Sequence, residues 1–150
     1  MKSTQLAHQL VSDRLEGGEV VVDATAGNGH DTLFLAEQVG ATGVVYSFDV
    51  QKEAIRMTRS RLEEAQISNR VIMCETSHEN LDQVIRAPHW GNVSAIMFNL
   101  GYLPGGDHSI TTLKEITLTA LRKALEGLRN GGFLTVLCYP GHEEGLEESA

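Results

Sequence analysis

At 150 residues, with 41% hydrophobic and 21% charged residues and a net charge of −8, the chain has the composition of one folded domain. That length leaves no room for a two-domain enzyme, and the frequent aliphatic runs exclude a disordered chain. No apolar run approaches the roughly 20 residues of a membrane-spanning helix, and the acidic balance argues against a protein that holds nucleic acid by charge alone.

Met1-Lys2-Ser3-Thr4 leads into a mixed polar segment rather than a signal sequence, so a cytosolic protein is expected. Leu6, Ala7, Leu10 and Val11 fall on one helical face ahead of Gly17-Gly18. Val20-Val21-Val22 is a β-branched run of the kind that forms a strand covered on both faces. Asp31 to Val39 reads as a helix closed by Gly40, and Val44 to Phe48 as a second buried strand. Ile55, Thr58, Leu62 and Ala65 recur at helical spacing, and Val71 to Cys74 is a third strand. Ser77 then caps a helix carrying Leu81, Val84 and Ile85.

Val93 to Phe98 reads as a fourth strand, followed by a loop from Asn99 to Asp107 with three glycines and a proline. Thr112 and Glu115 have capping-box spacing, and Leu113, Ile116, Ala120, Ala124 and Leu128 continue the helix they would start. Asn130-Gly131-Gly132 is expected to terminate it, ahead of a fifth strand from Phe133 to Cys138. Cys74 and Cys138 each end an apolar run and form no Cys-x-x-Cys pair, so both are expected to be reduced core thiols. Glu143, Glu144, Glu147 and Glu148 supply half of the net charge. The chain stops at the start of a further helix, and a C-terminal portion is expected to be missing.

Five strands alternating with helices imply an α/β, doubly wound, mainly parallel sheet over residues 1–150 as a single domain. Ligands of such sheets sit beyond the carboxyl ends of the strands. There the most informative segment is Val20-Val21-Val22-Asp23-Ala24-Thr25-Ala26-Gly27-Asn28-Gly29-His30-Asp31-Thr32, a strand entering a Gly-x-Gly turn and then a helix. Glycine permits positive φ and close backbone approach, and a helix start offers free N–H donors. Twenty residues after Gly29 stands Asp49, where a carboxylate can accept both hydroxyls of an adenosine ribose. The two elements together indicate a nucleoside-cofactor site. A dinucleotide turn wants a third glycine or alanine where this chain has Thr32, and Asp23 and Asp31 frame the turn with negative charge. That frame is unfriendly to a diphosphate and suits a cation such as the sulfonium of S-adenosylmethionine.

This pattern resembles motif I of class I methyltransferases and, more narrowly, that of the bacterial rRNA-methylase family, which includes the enzyme that methylates the 5-aminomethyl group of the tRNA wobble uridine. Thr76-Ser77-His78-Glu79-Asn80-Leu81, Phe98 through Asp107 and Tyr139-Pro140-Gly141-His142 are also similar to that family. The resemblance implies a Rossmann-like sheet in the order 3-2-1-4-5, S-adenosylmethionine as cofactor and a tRNA substrate. It also implies a final helix and two closing strands beyond this chain. Asp23, Ala26, Gly27, Asn28, Gly29 and His30 would serve the cofactor, its methionine part lying on Gly27-Asn28-Gly29. Asp49 with Gln51 would hold the ribose, and Ser77 and His78 would flank the adenine. For Ser77 a plain helix cap is the alternative, and both roles can coexist.

Asn99-Leu100-Gly101-Tyr102 stands where amino methyltransferases carry Asn/Asp-Pro-Pro-Tyr/Phe. Asn99 and the Leu100 carbonyl would accept the N–H bonds of an attacking amine, Gly101 would adjoin the cofactor, and Tyr102 would stack on a base. Leu-Gly in place of Pro-Pro makes this loop less rigid. Asp31 either orients or deprotonates the substrate ammonium, or only complements the helix N-terminus. Tyr139 and His142 are expected to contact the nucleobase. His8 and His89 have no acidic or cysteine neighbours at ligand spacing and are read as structural, and Asp107-His108 lack companions for a metal site.

Lys52, Arg56, Arg59 and Arg61 place a third of the basic residues on one helix, either an RNA-backbone patch or, as favoured here, a solvated face balanced by Glu53, Glu63 and Glu64. RNA recognition is then expected to rest on shape, a splayed base and a second subunit in a homodimer. The alternatives to a tRNA amine methyltransferase are an rRNA or small-molecule methyltransferase, a nucleotide-dependent oxidoreductase and a non-catalytic adenosine-binding domain.

Overall fold

The run Val20-Val21-Val22 forms the middle of a parallel sheet because its branched side chains fill both faces, Val21 and Val22 being wholly buried. In the computed structural model, which describes residues 2–100 and 107–138 (the backbone only for 107–113), this strand is β1 (Val20–Asp23). The others are β2 (Val44–Asp49), β3 (Val71–Glu75), β4 (Val93–Asn99) and β5 (Leu128–Leu137), and the order is β3-β2-β1-β4-β5 with every neighbouring pair parallel. The chain winds outward from β1 to β3, then returns to place β4 on the other side of β1. The switch of direction therefore falls at the carboxyl ends of β1 and β4, where open α/β sheets place their ligands.

Helices cover both faces. Helices α1 (Ser3–Arg14), α2 (His30–Val39) and α3 (Lys52–Glu64) pack on the face carrying Val21, Val45, Ala95 and Met97. The opposite face, with Val22, Tyr46, Phe48, Ile96 and Phe98, is covered by α4 (Leu81–Val84) and α5 (Asp107–Gly127). Phe48, Phe98 and Leu35 are among the largest fully buried side chains, and burying each is worth about 1.5–3 kcal/mol. Lys123 of α5 donates to the Glu79 carbonyl at 2.7 Å and pairs with Asp82 at 3.1 Å, tying α5 to the loop after β3. The Tyr46 hydroxyl lies 2.7 Å from Nδ1 of His89, in keeping with a structural role for that histidine.

Several local expectations need correction. Only Ala7 and Val11 bury the expected face of α1, while Leu6 and Leu10 are 50% and 43% exposed. Helix α5 begins at Asp107 rather than at the Thr112 capping box and ends at Gly127 rather than at Asn130. At that end the Trp90 ring lies against Gly127, where a Cβ would lie 2.6 Å from a ring carbon, and the Gly127 carbonyl accepts from the Gly91 N–H at 3.0 Å. Asn130-Gly131-Gly132 consequently lies inside β5. There Leu128 pairs with Val93 and Phe133 with Ala95, so the intervening residues bulge, with Gly131 at φ 81°. Cys74 is buried, and burial pushes its thiol up to about 11, whereas Cys138 is exposed. No described helix is long and apolar enough to cross a membrane.

Candidate cofactor site

The loop after β1 is built by hydrogen bonds that reach both neighbouring strands. The Ala24 N–H donates to Met97 O of β4 at 2.8 Å, and the Ala26 N–H donates to Phe48 O of β2 at 2.9 Å. Gly27 and Gly29 then take φ values of 54° and 89°, in the left-handed region that favours glycine. Behind them α3 presses close. A Cβ on Gly29 would stand 2.9 Å from the Thr58 Cα, the Arg61 Nε–H donates to Asn28 O at 2.9 Å, and the Gly29 N–H closes the turn onto Ala26 O at 2.9 Å. Arg61 thus turns inward, unlike the exposed Lys52, Arg56 and Arg59. Glycine at position 29 is demanded twice, by φ and by space.

Asp49 closes the turn from β2. Its Oδ2 accepts from the Gly27 N–H at 3.0 Å and its Oδ1 from the Gln51 N–H at 2.9 Å. Along the carboxyl ends of β1, β2, β3 and β4 runs a cleft of about 410 Å³, within the usual range for small-molecule sites. Of the expected residues it gathers Gly27, Asp49, Ser77, His78 and Asn99. It also takes in Thr25, Phe48, Val50, Thr76, Glu79 and, from α5, Ile116, none of which was given a ligand role from the sequence. Val50 could have been found, because it directly follows Asp49 at the carboxyl end of β2, and it is 64% exposed beside the cleft. Ile116 could not, since it comes from a helix far along the chain.

Ser77 does cap, its Oγ accepting the Glu79 N–H at 3.3 Å, and it also lines the cleft. Nδ1 of His78 lies 3.0 Å from Ala24 O, and a carbonyl only accepts, so Nδ1 carries the proton. Burial lowers the His78 pKa and keeps the ring neutral. The Asn99 N–H donates to Thr25 Oγ1 at 2.7 Å, joining the β4 loop to the β1 loop.

Other expected residues stand apart from the cleft. Ala26 and Gly29 are buried, Gln51 contributes only its N–H to Asp49, and Asn28 and His30 are exposed beside the turn. Gly101, Tyr102, Tyr139 and His142 lie outside the described residues. Asp23 is wholly buried and accepts from the Thr25 N–H at 3.0 Å and from the Thr32 hydroxyl at 2.6 Å, with Ser47 Oγ 2.7 Å from Thr32. Thr32 at the expected third-glycine position is thus spent on Asp23. Asp23 lies under the turn and does not line the cleft.

Burial, aided by the nearby Asp31 and Asp49 carboxylates and opposed by the Thr32 and Thr25 bonds, pushes Asp23 up to about 7. The expected negative frame is therefore corrected in its members: among the described residues the acidic ones that line the cleft are Asp49 and Glu79, and no lysine or arginine lines it. The raised Asp23 value has a consequence for stability. Between about 4 and 7 the folded chain holds a proton that the unfolded chain has lost, so stability falls as pH rises through that window and levels off above it. Asp23→Asn should flatten this slope in urea unfolding at several pH values. An equal slope in the variant would place the titration on another group.

His8 was expected to lack an acidic partner, and here too the structure differs. Its Nε2 lies 2.6 Å from Asp31 Oδ1, and its ring stacks on Phe34 with centroids 3.9 Å apart and planes 3° from parallel. The pair joins residues 23 positions apart, beyond any local spacing rule. Among the described residues no three His, Cys, Asp or Glu side chains stand together as a metal site.

A parallel 3-2-1-4-5 sheet with a glycine turn after β1 and an acidic residue ending β2 defines a Rossmann-like protein of the methyltransferase class. Residues 45–150 match the family described as "Putative rRNA methylase". A solved structure carrying the same description, from Clostridium thermocellum, is 45% identical and superposes with a TM-score of 0.84 over 99% of this chain and 78% of that one. A Streptococcus mutans protein solved in complex with SAH is 35% identical, with a TM-score of 0.77 over 99% of this chain and 77% of its own. The tRNA (mnm(5)s(2)U34)-methyltransferase of Arabidopsis thaliana chloroplasts is 39% identical over 155 residues, 98% of this chain, which spans 56% of that relative's length. The chain belongs to the rRNA-methylase family.

Proposed function

We propose that this protein is an S-adenosylmethionine-dependent methyltransferase that methylates an amine of RNA, the 5-aminomethyl group of the tRNA wobble uridine. The observation that carries the cofactor is the lining of the cleft, where Asp49 and Glu79 are acidic and, among the described residues, no lysine or arginine is present. A diphosphate would be repelled there, while a nucleoside bearing a sulfonium and an ammonium is attracted. When bound, S-adenosylmethionine supplies an electrophilic methyl group.

The chain's own residues hold and aim. Asp49 accepts the ribose hydroxyls with the lone pairs left over from Gly27 and Gln51. Val50, Ser77 and His78 flank the base. Asn99, fixed through Thr25, accepts an N–H of the incoming amine and aligns its lone pair with the methyl group. Gly101 and Tyr102 would continue that contact, and Tyr139 and His142 would meet the nucleobase.

Calorimetry with S-adenosylmethionine, S-adenosylhomocysteine and NAD tests the cofactor, and tight binding of NAD alone would reject it. Asn99→Ala should leave S-adenosylhomocysteine affinity within about twofold and lower turnover by roughly 10- to 100-fold; equal losses in both would contradict an aiming role. The tRNA substrate is supported by the name of the Arabidopsis relative, whereas the family description names rRNA. Mass spectrometry of tRNA nucleosides from a deletion strain separates the two, and an unchanged nucleoside profile would redirect the search to rRNA.

A further inference from the structure

Methyl transfer to an amine needs one acid–base event, loss of a proton from the substrate ammonium before nitrogen can attack. Resting on the reading of an amine acceptor given above, the question is which group receives that proton. Helix α1 runs against the strand direction. Its last turn sets Arg14 over the Phe133 ring at 5.2 Å, low on β5, and its first half reaches the carboxyl rim, where His8 meets Asp31 at the start of α2. The pair thus stands two residues beyond Gly29.

The two partners are not equivalent. The Asp31 side chain is 10% exposed and that of His8 29%. The carboxylate accepts only, so the His8 Nε2 carries the hydrogen, and in the neutral form of such a ring the lone pair is on Nδ1. Phe34 fixes the plane of the imidazole and Asp31 fixes its rotation within that plane. A neutral imidazole backed by a buried carboxylate is the arrangement of a general base, in which the carboxylate orients the ring and stabilises the cation formed. Of the other titratable groups, Asp23 lies near Asp31 under the turn and His30 precedes Asp31 in the chain.

We propose that His8 is the proton acceptor of the methyl transfer and that Asp31 is its positioning residue. The substrate ammonium gives a proton to Nδ1 of His8. The freed lone pair forms the new N–C bond as the C–S bond breaks, and that bonding pair stays on sulfur. The product is a secondary ammonium beside a thioether, and the imidazolium returns its proton to solvent.

The test uses the full-length natural protein and tRNA carrying the aminomethyl group, with kcat and KM measured from about pH 5.5 to 9, a span that brackets the ordinary imidazole range. Wild type should lose rate on the acid side as His8 protonates. His8→Gln should lower kcat by about 10²- to 10⁴-fold and remove that acid limb, with KM and S-adenosylhomocysteine affinity within about twofold, and added imidazole should restore part of the rate. Asp31→Asn should lower kcat while keeping an acid limb. An unchanged profile in His8→Gln overturns the proposal, as does loss of cofactor binding in step with activity. Should His8→Gln fail to fold, Phe34→Leu reads the same point, and an unaltered kcat there counts against it. Wild type that binds the cofactor yet methylates no amine defeats the reading of function, and the proposal falls with it.

Discussion

Gly29→Ala should destabilise the protein by about 2–5 kcal/mol, adding the cost of a left-handed backbone for an L residue to that of overpacking. Position 29 stands at φ 89°, and the new methyl would be driven to 2.9 Å from the Thr58 Cα and 2.9 Å from its hydroxyl. Helix α3 would have to retreat, and with it Arg61 would let go of the Asn28 carbonyl. Urea unfolding followed by circular dichroism reads the loss, and calorimetry should find cofactor binding abolished. A loss below about 1 kcal/mol would mean that Thr58 yields easily and that the turn is looser than its contacts indicate. Gly91, at φ 88° with open space around it, is the control, and alanine there should cost only the backbone part.

Asp49→Ala should weaken S-adenosylhomocysteine binding by roughly 1.5–3 kcal/mol, the range for hydrogen bonds to a charged group, or about 10- to 150-fold. Two effects combine. The ribose hydroxyls lose their acceptor, and the Gly27 and Gln51 N–H groups lose the carboxylate that holds them. Asp49→Asn separates these, because its amide keeps one acceptor oxygen while giving up the charge, and it should fall between wild type and alanine. Since Asp49 is only half-buried, the unfolding midpoint should move little in either variant. Calorimetry showing undiminished affinity in Asp49→Ala would remove this residue from the ribose role.

The alternation of strands and helices and the place of the cleft could be read from the chain because both rest on local signals, whereas the strand order came from the family resemblance. β-branched runs, the Gly-x-Gly turn and the spacing to Asp49 are short-range features, and each recurs in the structure with its expected neighbours. Contacts between distant segments could not be read. The Trp90 ring packed on Gly127, the Ile116 side chain in the cleft and the His8–Asp31 pair all depend on tertiary packing. Burial misled in one instance. Asp23 carries a formal charge in the sequence, yet inside the sheet it is desolvated and pushed up to about 7, so it contributes less to the field of the turn than Asp49 does.

The inward turn of Arg61 changes what α3 can offer a polyanion. Its exposed ionic groups are Lys52, Arg56 and Arg59 against Glu53, Glu63 and Glu64, three cations facing three carboxylates, with Arg56 already engaged by Glu53. Arg61 keeps its charge, because its carbonyl partner is neutral, so α3 has four cations against three carboxylates and offers an approaching phosphodiester strand little net charge. Ionic strength should therefore affect RNA capture mainly through other parts of the molecule, and Lys52→Gln or Arg59→Gln should change that sensitivity little.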